Sequence, residues 1–239
     1  VKSGEIGQER IDQSVHKLLY WKARLNLHQN RFVDEERVNA LVGTPEHLAV
    51  VQKVADESLT LLKNDGVLPV KPGKFAKMVN ISIQKADGDP STPVLAAKLA
   101  AAIPGIQSFS LRPDMDASYY EKVWPAVEGA DLIIISLFVP RNRLGDAAPL
   151  RDPDIAFIYR VIAAKPKDVV AMSYGNPHLI RKIDNVPAFL VGYGERGWFG
   201  NQAVYFDSFV KVLKGEIKAK GKLPVLVSGK YPIGCGLSY

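Results

Sequence analysis

The chain has 239 residues, 47% of them hydrophobic and 23% charged, enough for one large or two small domains with a real core. Its net charge of +6 arises from Lys and Arg interspersed with Asp and Glu, with no aromatic-and-basic stripe or helix-turn-helix pattern, so nucleic acid is not an expected partner. Cys235 is the sole cysteine, which excludes an intrachain disulfide and any metal cluster built on thiolates.

No apolar run is long enough to span a bilayer, and Val1-Lys2-Ser3-Gly4 has neither an initiator Met nor the apolar core of a signal peptide. The expectation is a chain that begins partway through a longer protein. From Gln8 to Leu25, Ile11, Val15, Leu18, Leu19 and Leu25 share one face of a predicted helix that needs a partner. A polar, irregular connector is expected from Asn26 to Gly43. Thr44-Pro45-Glu46-His47 then reads as an N-cap, a Pro at the first helical position and an acid in the first turn. The spacing of Leu48, Val51, Ala55, Leu59 and Leu62 predicts that this helix runs to Lys63, where Asn64-Asp65-Gly66 supplies a turn tolerant of left-handed backbone.

Beyond Pro69 short apolar runs alternate with amphipathic segments. Strands are predicted at Met78 to Ile83, Gln107 to Leu111, Leu132 to Phe138, Val169 to Ser173, Ala188 to Gly192 and Val225 to Ser228. Helices are predicted at Thr92 to Ala102, Ala117 to Glu128, Asp154 to Ala164, His178 to Ile183 and Asn201 to Leu213. Leu132-Ile133-Ile134-Ile135 is apolar on both pleat faces, as a central parallel strand covered on each side should be. This alternation is of the α/β class: a three-layer α/β/α sandwich with a mostly parallel sheet of about six strands and right-handed crossovers. The lysine-rich run from Lys211 to Lys222 falls at a helix end, where cations suit the macrodipole.

Ligand-facing loops of such a sheet lie at the carboxyl ends of its strands. After Phe138 comes Val139-Pro140-Arg141-Asn142-Arg143-Leu144-Gly145-Asp146, and after Gly192 comes Tyr193-Gly194-Glu195-Arg196-Gly197-Trp198-Phe199-Gly200. Neither is a dinucleotide fingerprint or a P-loop, so no nucleotide or flavin is expected and no cofactor is assigned. G-x-S-x-G is absent, and His16, His28, His47 and His178 do not fall at metal-ligand spacing. The acids Asp146, Asp152, Asp154 and Glu195 each have a structural reading: Asp152 before Pro153 as a helix N-cap, Asp146 fixing its own turn, and Glu195 pairing with Arg196 or capping a helix.

Several motifs, in order, resemble glycoside hydrolase family 3. Arg10-Ile11-Asp12-Gln13-Ser14-Val15, with Leu18-Leu19 and Lys22, looks like the family's last barrel helix, commonly R-I-D-x-S-V-x-x-x-L-x-x-K. Val33-Asp34, His47, Glu57-Ser58 through Leu61-Leu62-Lys63-Asn64, and Leu68-Pro69 continue the likeness into the family's C-terminal domain. Gly221-Lys222-Leu223-Pro224-Val225 resembles its G-K-L-P-V, and Tyr231-Pro232-Ile233-Gly234-Cys235-Gly236-Leu237 its Y-P-x-G-x-G-L.

The resemblance implies a division in which residues 1–43 are a barrel helix and interdomain connector and residues 44–239 are the C-terminal sandwich domain. It implies a retaining exo-glycosidase, a periplasmic or extracellular setting, a carbohydrate substrate and, as partner, an N-terminal (β/α) barrel holding the nucleophilic Asp. No catalytic residue is therefore assigned to this chain. In the glucosidase-like branch a sandwich-domain Glu, in a segment resembling E-x-x-G-D, protonates the leaving group. Here Gly145-Asp146 is kept but that Glu position falls at Asn142, and Pro140 to Gly145 contains no Glu. Asn cannot donate and retrieve a proton. The β-N-acetylglucosaminidase-like branch keeps its acid/base, a His with a supporting Asp, on a barrel loop, so this branch is the one expected. Arg141, Asn142, Arg143, Asp146, Glu195 and Arg196 are the expected substrate-facing residues. The alternatives are a β-glucosidase domain and a carbohydrate-binding or stabilising module.

Overall fold

A computed structural model of the chain describes residues 3–71, 73–84, 90–139, 150–194 and 203–239. The backbone divides into two units, Val1–Ala49 and Val50–Tyr239.

In the first unit, α1 (Gln8–Arg24) carries Glu9 in its first turn and Lys22 and Arg24 in its last, matching the helix dipole at both ends. It buries none of its residues, and Val15, Leu18 and Leu19 on its apolar face are 46%, 63% and 58% exposed. The connector expected to be irregular contains a 3₁₀ turn at Glu35–Arg37 and a short helix, α2 (Val38–Leu41). Thr44 caps as predicted, its hydroxyl accepting from the His47 backbone N–H at 3.4 Å, and α3 (Pro45–Ser58) follows.

The helix predicted to reach Lys63 ends five residues earlier, at Ser58. Thr60–Asn64 is instead a strand, β1, running antiparallel along β6 (Ala188–Val191) at the edge of the sheet. The spacing of Leu59 and Leu62 continues the helical face, but both sides of this segment are covered: Leu59, Leu61 and Leu62 are all buried, and only a strand between two helix layers buries successive residues in this way.

The remaining strands are β2 (Met78–Gln84), β3 (Gln107–Leu111), β4 (Leu132–Phe138) and β5 (Val169–Ser173). They form one six-stranded sheet in the order β1-β6-β5-β4-β2-β3, parallel except for β1. The predicted strand at Val225 to Ser228 is not part of it. That segment makes only an isolated bridge between Ser228 and Tyr231, because β1 already holds the place beside β6.

The pleat sends alternate residues to two cores. Val79, Ile81, Ile83, Ile133, Ile135 and Leu137 pack on one side, with α5 (Ser118–Gly129) and α6 (Asp152–Ala164) above them. Leu132, Ile134, Phe138, Val170, Met172 and Leu190 pack on the other, under α4 (Ser91–Ala102) and α7 (Ala203–Lys214). The predicted helix at His178 to Ile183 is a 3₁₀ segment, Pro177–Lys182, too short a link between β5 and β6 for a full crossover helix.

The C-terminal tail fastens to β1. Gly221 N donates to Leu59 O at 2.9 Å and Leu237 N to Leu61 O at 2.7 Å, so the outer edge of β1 is covered and does not offer unpaired backbone to another chain. Asn64 organises the turn between β1 and Pro69. Its side-chain carbonyl accepts from Val67 N and Leu68 N at 3.1 and 3.0 Å, and its amide donates to Leu68 O at 2.9 Å.

Candidate functional site

From β2 the chain passes through α4 to β3 at the far edge, then through α5 back to β4 on the other side of β2. The strand order reverses between β2 and β4, and the crevice outside their carboxyl ends is where open α/β sheets bind ligands. Gln84 and Phe138 are paired in register at that edge. Val139 leads out of β4, and Gly192-Tyr193-Gly194 out of β6. The residues predicted to face substrate, Arg141, Asn142, Arg143 and Asp146 after β4 and Glu195 and Arg196 after β6, lie outside the described residues.

The described residues at the carboxyl ends of β4 and β5 form an aromatic cluster. Phe138 and Tyr174 stack with centroids 4.7 Å apart and planes 12° apart, and Phe206 of α7 meets both edge-on, a geometry that favours rigid aromatic packing. Burial drives the Tyr174 hydroxyl far above the ordinary phenol range, and Ser136 pulls slightly the other way without meeting hydrogen-bond geometry. A phenol so held stays protonated at any working pH, so Tyr174 is core rather than a proton carrier.

At the end of β5, Ser173 Oγ donates to Asn176 O at 2.8 Å and accepts from Asn176 N at 3.2 Å. Asn176 Oδ1 in turn accepts from His178 N at 3.0 Å. This is a locked turn in which Asn176 is the capping residue, and it is the backbone of His178 that makes the cap.

The acids beside the β4 loop resolve differently from their sequence reading. Asp152 is not the N-cap of α6: Arg151 holds that position, with no side-chain cap, and Asp152 is already helical. Asp154, 1% exposed, receives Arg151 Nε and a second guanidinium nitrogen at 2.7 and 2.9 Å and Tyr120 Oη at 2.7 Å. The fork-on-carboxylate geometry raises the Arg151 pKa, and burial together with the Asp154 carboxylate raises that of Tyr120. Asp154 is thus committed to joining α6 to α5. The role of Arg151 is not signalled by any motif; only the contact between the two helices reveals it.

Among the described residues no group of three or more His, Cys, Asp and Glu side chains is placed to hold a metal ion. No helix among them is long and apolar enough to cross a membrane.

No family model matches the chain. It is 22% identical over 238 residues to a β-N-acetylglucosaminidase/β-glucosidase of Cellulomonas fimi, a match covering 94% of this chain and 40% of that protein. A glycoside hydrolase family 3 β-N-acetylglucosaminidase from Paenibacillus sp. str. FPU-7 superposes with a TM-score of 0.67 at 22% identity, over 95% of this chain and 41% of that one. A β-glucosidase from Listeria innocua superposes with a TM-score of 0.70 at 18% identity, over 100% of this chain and 40% of that one. The chain therefore spans about two-fifths of the length of each of these three proteins. Along nearly all of its length in sequence, and in fold, the chain is similar to a part of these glycosidases, one of them a glycoside hydrolase family 3 enzyme.

Proposed function

We propose that this chain is the C-terminal sandwich domain of a family 3 exo-glycosidase that removes terminal β-linked N-acetylglucosamine from glycans or peptidoglycan fragments. The barrel that completes such an enzyme supplies the nucleophile and the acid/base pair; this domain packs on it and lines the mouth of its active site. The observation that carries the reading is Asn142 in a segment, Pro140 to Asp146, that contains no Glu. A sandwich domain that supplied the acid/base as the glucosidase-like branch does would need a Glu at the position of Asn142. The likeness, along 94% of this chain, to an enzyme named for β-N-acetylglucosaminidase as well as β-glucosidase activity supports the same branch.

In this reading Arg141, Asn142, Arg143 and Asp146, with Glu195 and Arg196, face the substrate from the loops after β4 and β6, and contribute binding rather than bond cleavage. In the protein that joins this chain to its barrel, replacing Arg141 and Arg143 by Ala raises KM for an N-acetylglucosaminide and leaves kcat within a small factor, the signature of lost uniform binding. A collapse of kcat at unchanged KM would contradict that role.

A second reading, a β-glucosidase, is favoured by the other half of the Cellulomonas enzyme's name. The two separate on substrate: the first predicts a higher kcat/KM for the N-acetylglucosaminide than for the corresponding glucoside, the second the reverse.

A further inference from the structure

The turn after β1 contains one peptide unit that nothing holds. On its near side Asp65 N donates to Pro187 O at 2.8 Å, continuing the pairing of β1 with β6. On its far side the N–H groups of Val67 and Leu68, both buried, are taken by Asn64 Oδ1. Between these anchors the peptide joining Asp65 to Gly66 makes no hydrogen bond among the described residues, at its carbonyl or at its N–H.

The space around it is open. The Asp65 side chain is 59% exposed, and nothing lies within 4 Å of the point where a Cβ on Gly66 would stand. Gly66 has a φ of 90°, a left-handed backbone that Gly adopts without strain. Rotating the Asp65–Gly66 peptide breaks no hydrogen bond, so both anchors can stay in place while it turns. Among the described residues the ionic partner of the carboxylate is Lys63, whose Nζ stands 3.2 Å from Asp65 Oδ2 and also donates to Asp184 O at 3.1 Å. A pair with so exposed an acid is weak and does not fix the carboxyl group.

We propose that Asp65–Gly66 is a site of spontaneous isoaspartate formation in the folded protein. The Gly66 nitrogen bonds to Cγ of Asp65 in its carboxylic acid form. The acid's hydroxyl leaves as water with the amide proton, and a five-membered succinimide ring remains. Water then adds at the main-chain carbonyl carbon of Asp65, and the bond from that carbon to Gly66 N breaks. One water is lost and one regained, and nothing is oxidised or reduced. The chain now runs through Cβ and Cγ, with the former main-chain carboxyl as the side chain. Gly at position 66 permits the first step, because a β-carbon there would crowd the attacking nitrogen.

The product has one more main-chain atom between two anchors whose separation is set by β1 and by Asn64. The bonds from Asp65 N to Pro187 O and from Val67 N and Leu68 N to Asn64 Oδ1 are drawn out of alignment, and hydrogen bonds weaken steeply with angle. Isomerisation therefore loosens the end of β1 and lowers the stability of the sheet edge.

The test is incubation of the 239-residue chain at physiological temperature in a mildly acidic buffer, beside a synthetic peptide of residues 64–74. Trypsin digestion and mass spectrometry with electron-based fragmentation then distinguish isoaspartate from aspartate at unchanged mass. The expected result is isoaspartate at Asp65, accumulating in the folded chain at a rate within a small factor of the peptide's. Asp65→Glu, whose longer side chain would have to close a six-membered ring, is expected to show none. The isomerised fraction is expected to unfold at a lower urea concentration than fresh chain, while Asp65→Glu taken through the same incubation keeps its midpoint. Three results would overturn the proposal: a folded chain free of isoaspartate while the peptide forms it, isoaspartate confined to Asp87, which is also followed by Gly, or an isomerised chain with an unchanged midpoint.

Discussion

The carbonyl oxygen of Gly221 lies 2.3 Å from the point where a Cβ on Gly236 would stand. Gly221 is itself pressed against Ser58 O, 2.1 Å from its own would-be Cβ. The tail thus crosses the start of β1 and then itself, backbone on backbone, and both glycine-bearing motifs near the C-terminus are steric consequences of that crossing.

Gly221→Ala and Gly236→Ala should each destabilise the sandwich by about 3 kcal/mol, the upper range for forcing extra volume into a closed contact. Gly229→Ala, where nothing lies within 4 Å of the added carbon, should stay within about 0.5 kcal/mol of the parent. Urea denaturation of the three variants checks this, and equal midpoints would refute the crossing.

Asn64 replaces the backbone partners that its own turn lacks, making three hydrogen bonds to Val67 and Leu68. Asn64→Ala should cost about 2 kcal/mol. Asn64→Asp keeps the acceptor for both N–H groups but loses the donor to Leu68 O, so its denaturation midpoint should fall between those of the parent and the Ala variant.

Asp154 and Arg151 form a pair in which only the acid is fully buried. Asp154→Ala removes the acceptor of the Tyr120 hydroxyl and leaves Arg151 its bond to Pro113 O, and should cost about 3 kcal/mol, seen as a lower Tm. The double change Asp154→Leu with Arg151→Met should recover much of that loss. A double variant no more stable than the single one would mean that the pair is not the source of the effect.

Asp56 predicts a pH dependence. Burial works to raise its pKa, but hydrogen bonds from Ser208, Lys211 and Gln52 and the charge of Lys211 outweigh it, and the carboxyl is held below its ordinary value. A group whose folded pKa is depressed contributes stability that is complete above the unfolded value of about 3.9 and is lost as the pH falls through the folded one. The contribution is on the order of 1 kcal/mol for a partly exposed cluster. The Tm of Asp56→Asn should therefore lie below the parent's at pH 7, and the gap should close on acidification through that range. A gap independent of pH would contradict this assignment.

The strands covered on both faces were the most legible part of the fold. Leu132–Phe138 and Val169–Ser173 follow directly from runs that are apolar without alternation. β1 was not legible, because Leu48, Val51, Ala55, Leu59 and Leu62 keep helical spacing through Ser58 with no Gly or Pro to interrupt it. What ends the helix is the antiparallel edge offered by β6, a tertiary partner that no local pattern encodes. Counting Val225 to Ser228 as the sixth strand followed from the same gap, since its Val residues read as strand but the place beside β6 was filled. At the site, chain order sets the expectation of ligand loops at the carboxyl edge, and the residues named for them lie outside the described ones. The Arg151–Asp154 fork and the crossed glycines are contacts between segments far apart in sequence, and only the fold brings them together.

In the proposed function this chain contributes a scaffold and a binding surface to a β-N-acetylglucosaminidase and none of its bond-breaking acids. The most direct measurement is release of para-nitrophenol from para-nitrophenyl N-acetyl-β-D-glucosaminide by the purified 239-residue chain and, side by side, by the protein that joins it to its barrel. Turnover by the joined protein and none above buffer by the chain alone is the expected result. Turnover by the chain alone, or a joined protein inert towards every β-glycoside, would contradict it.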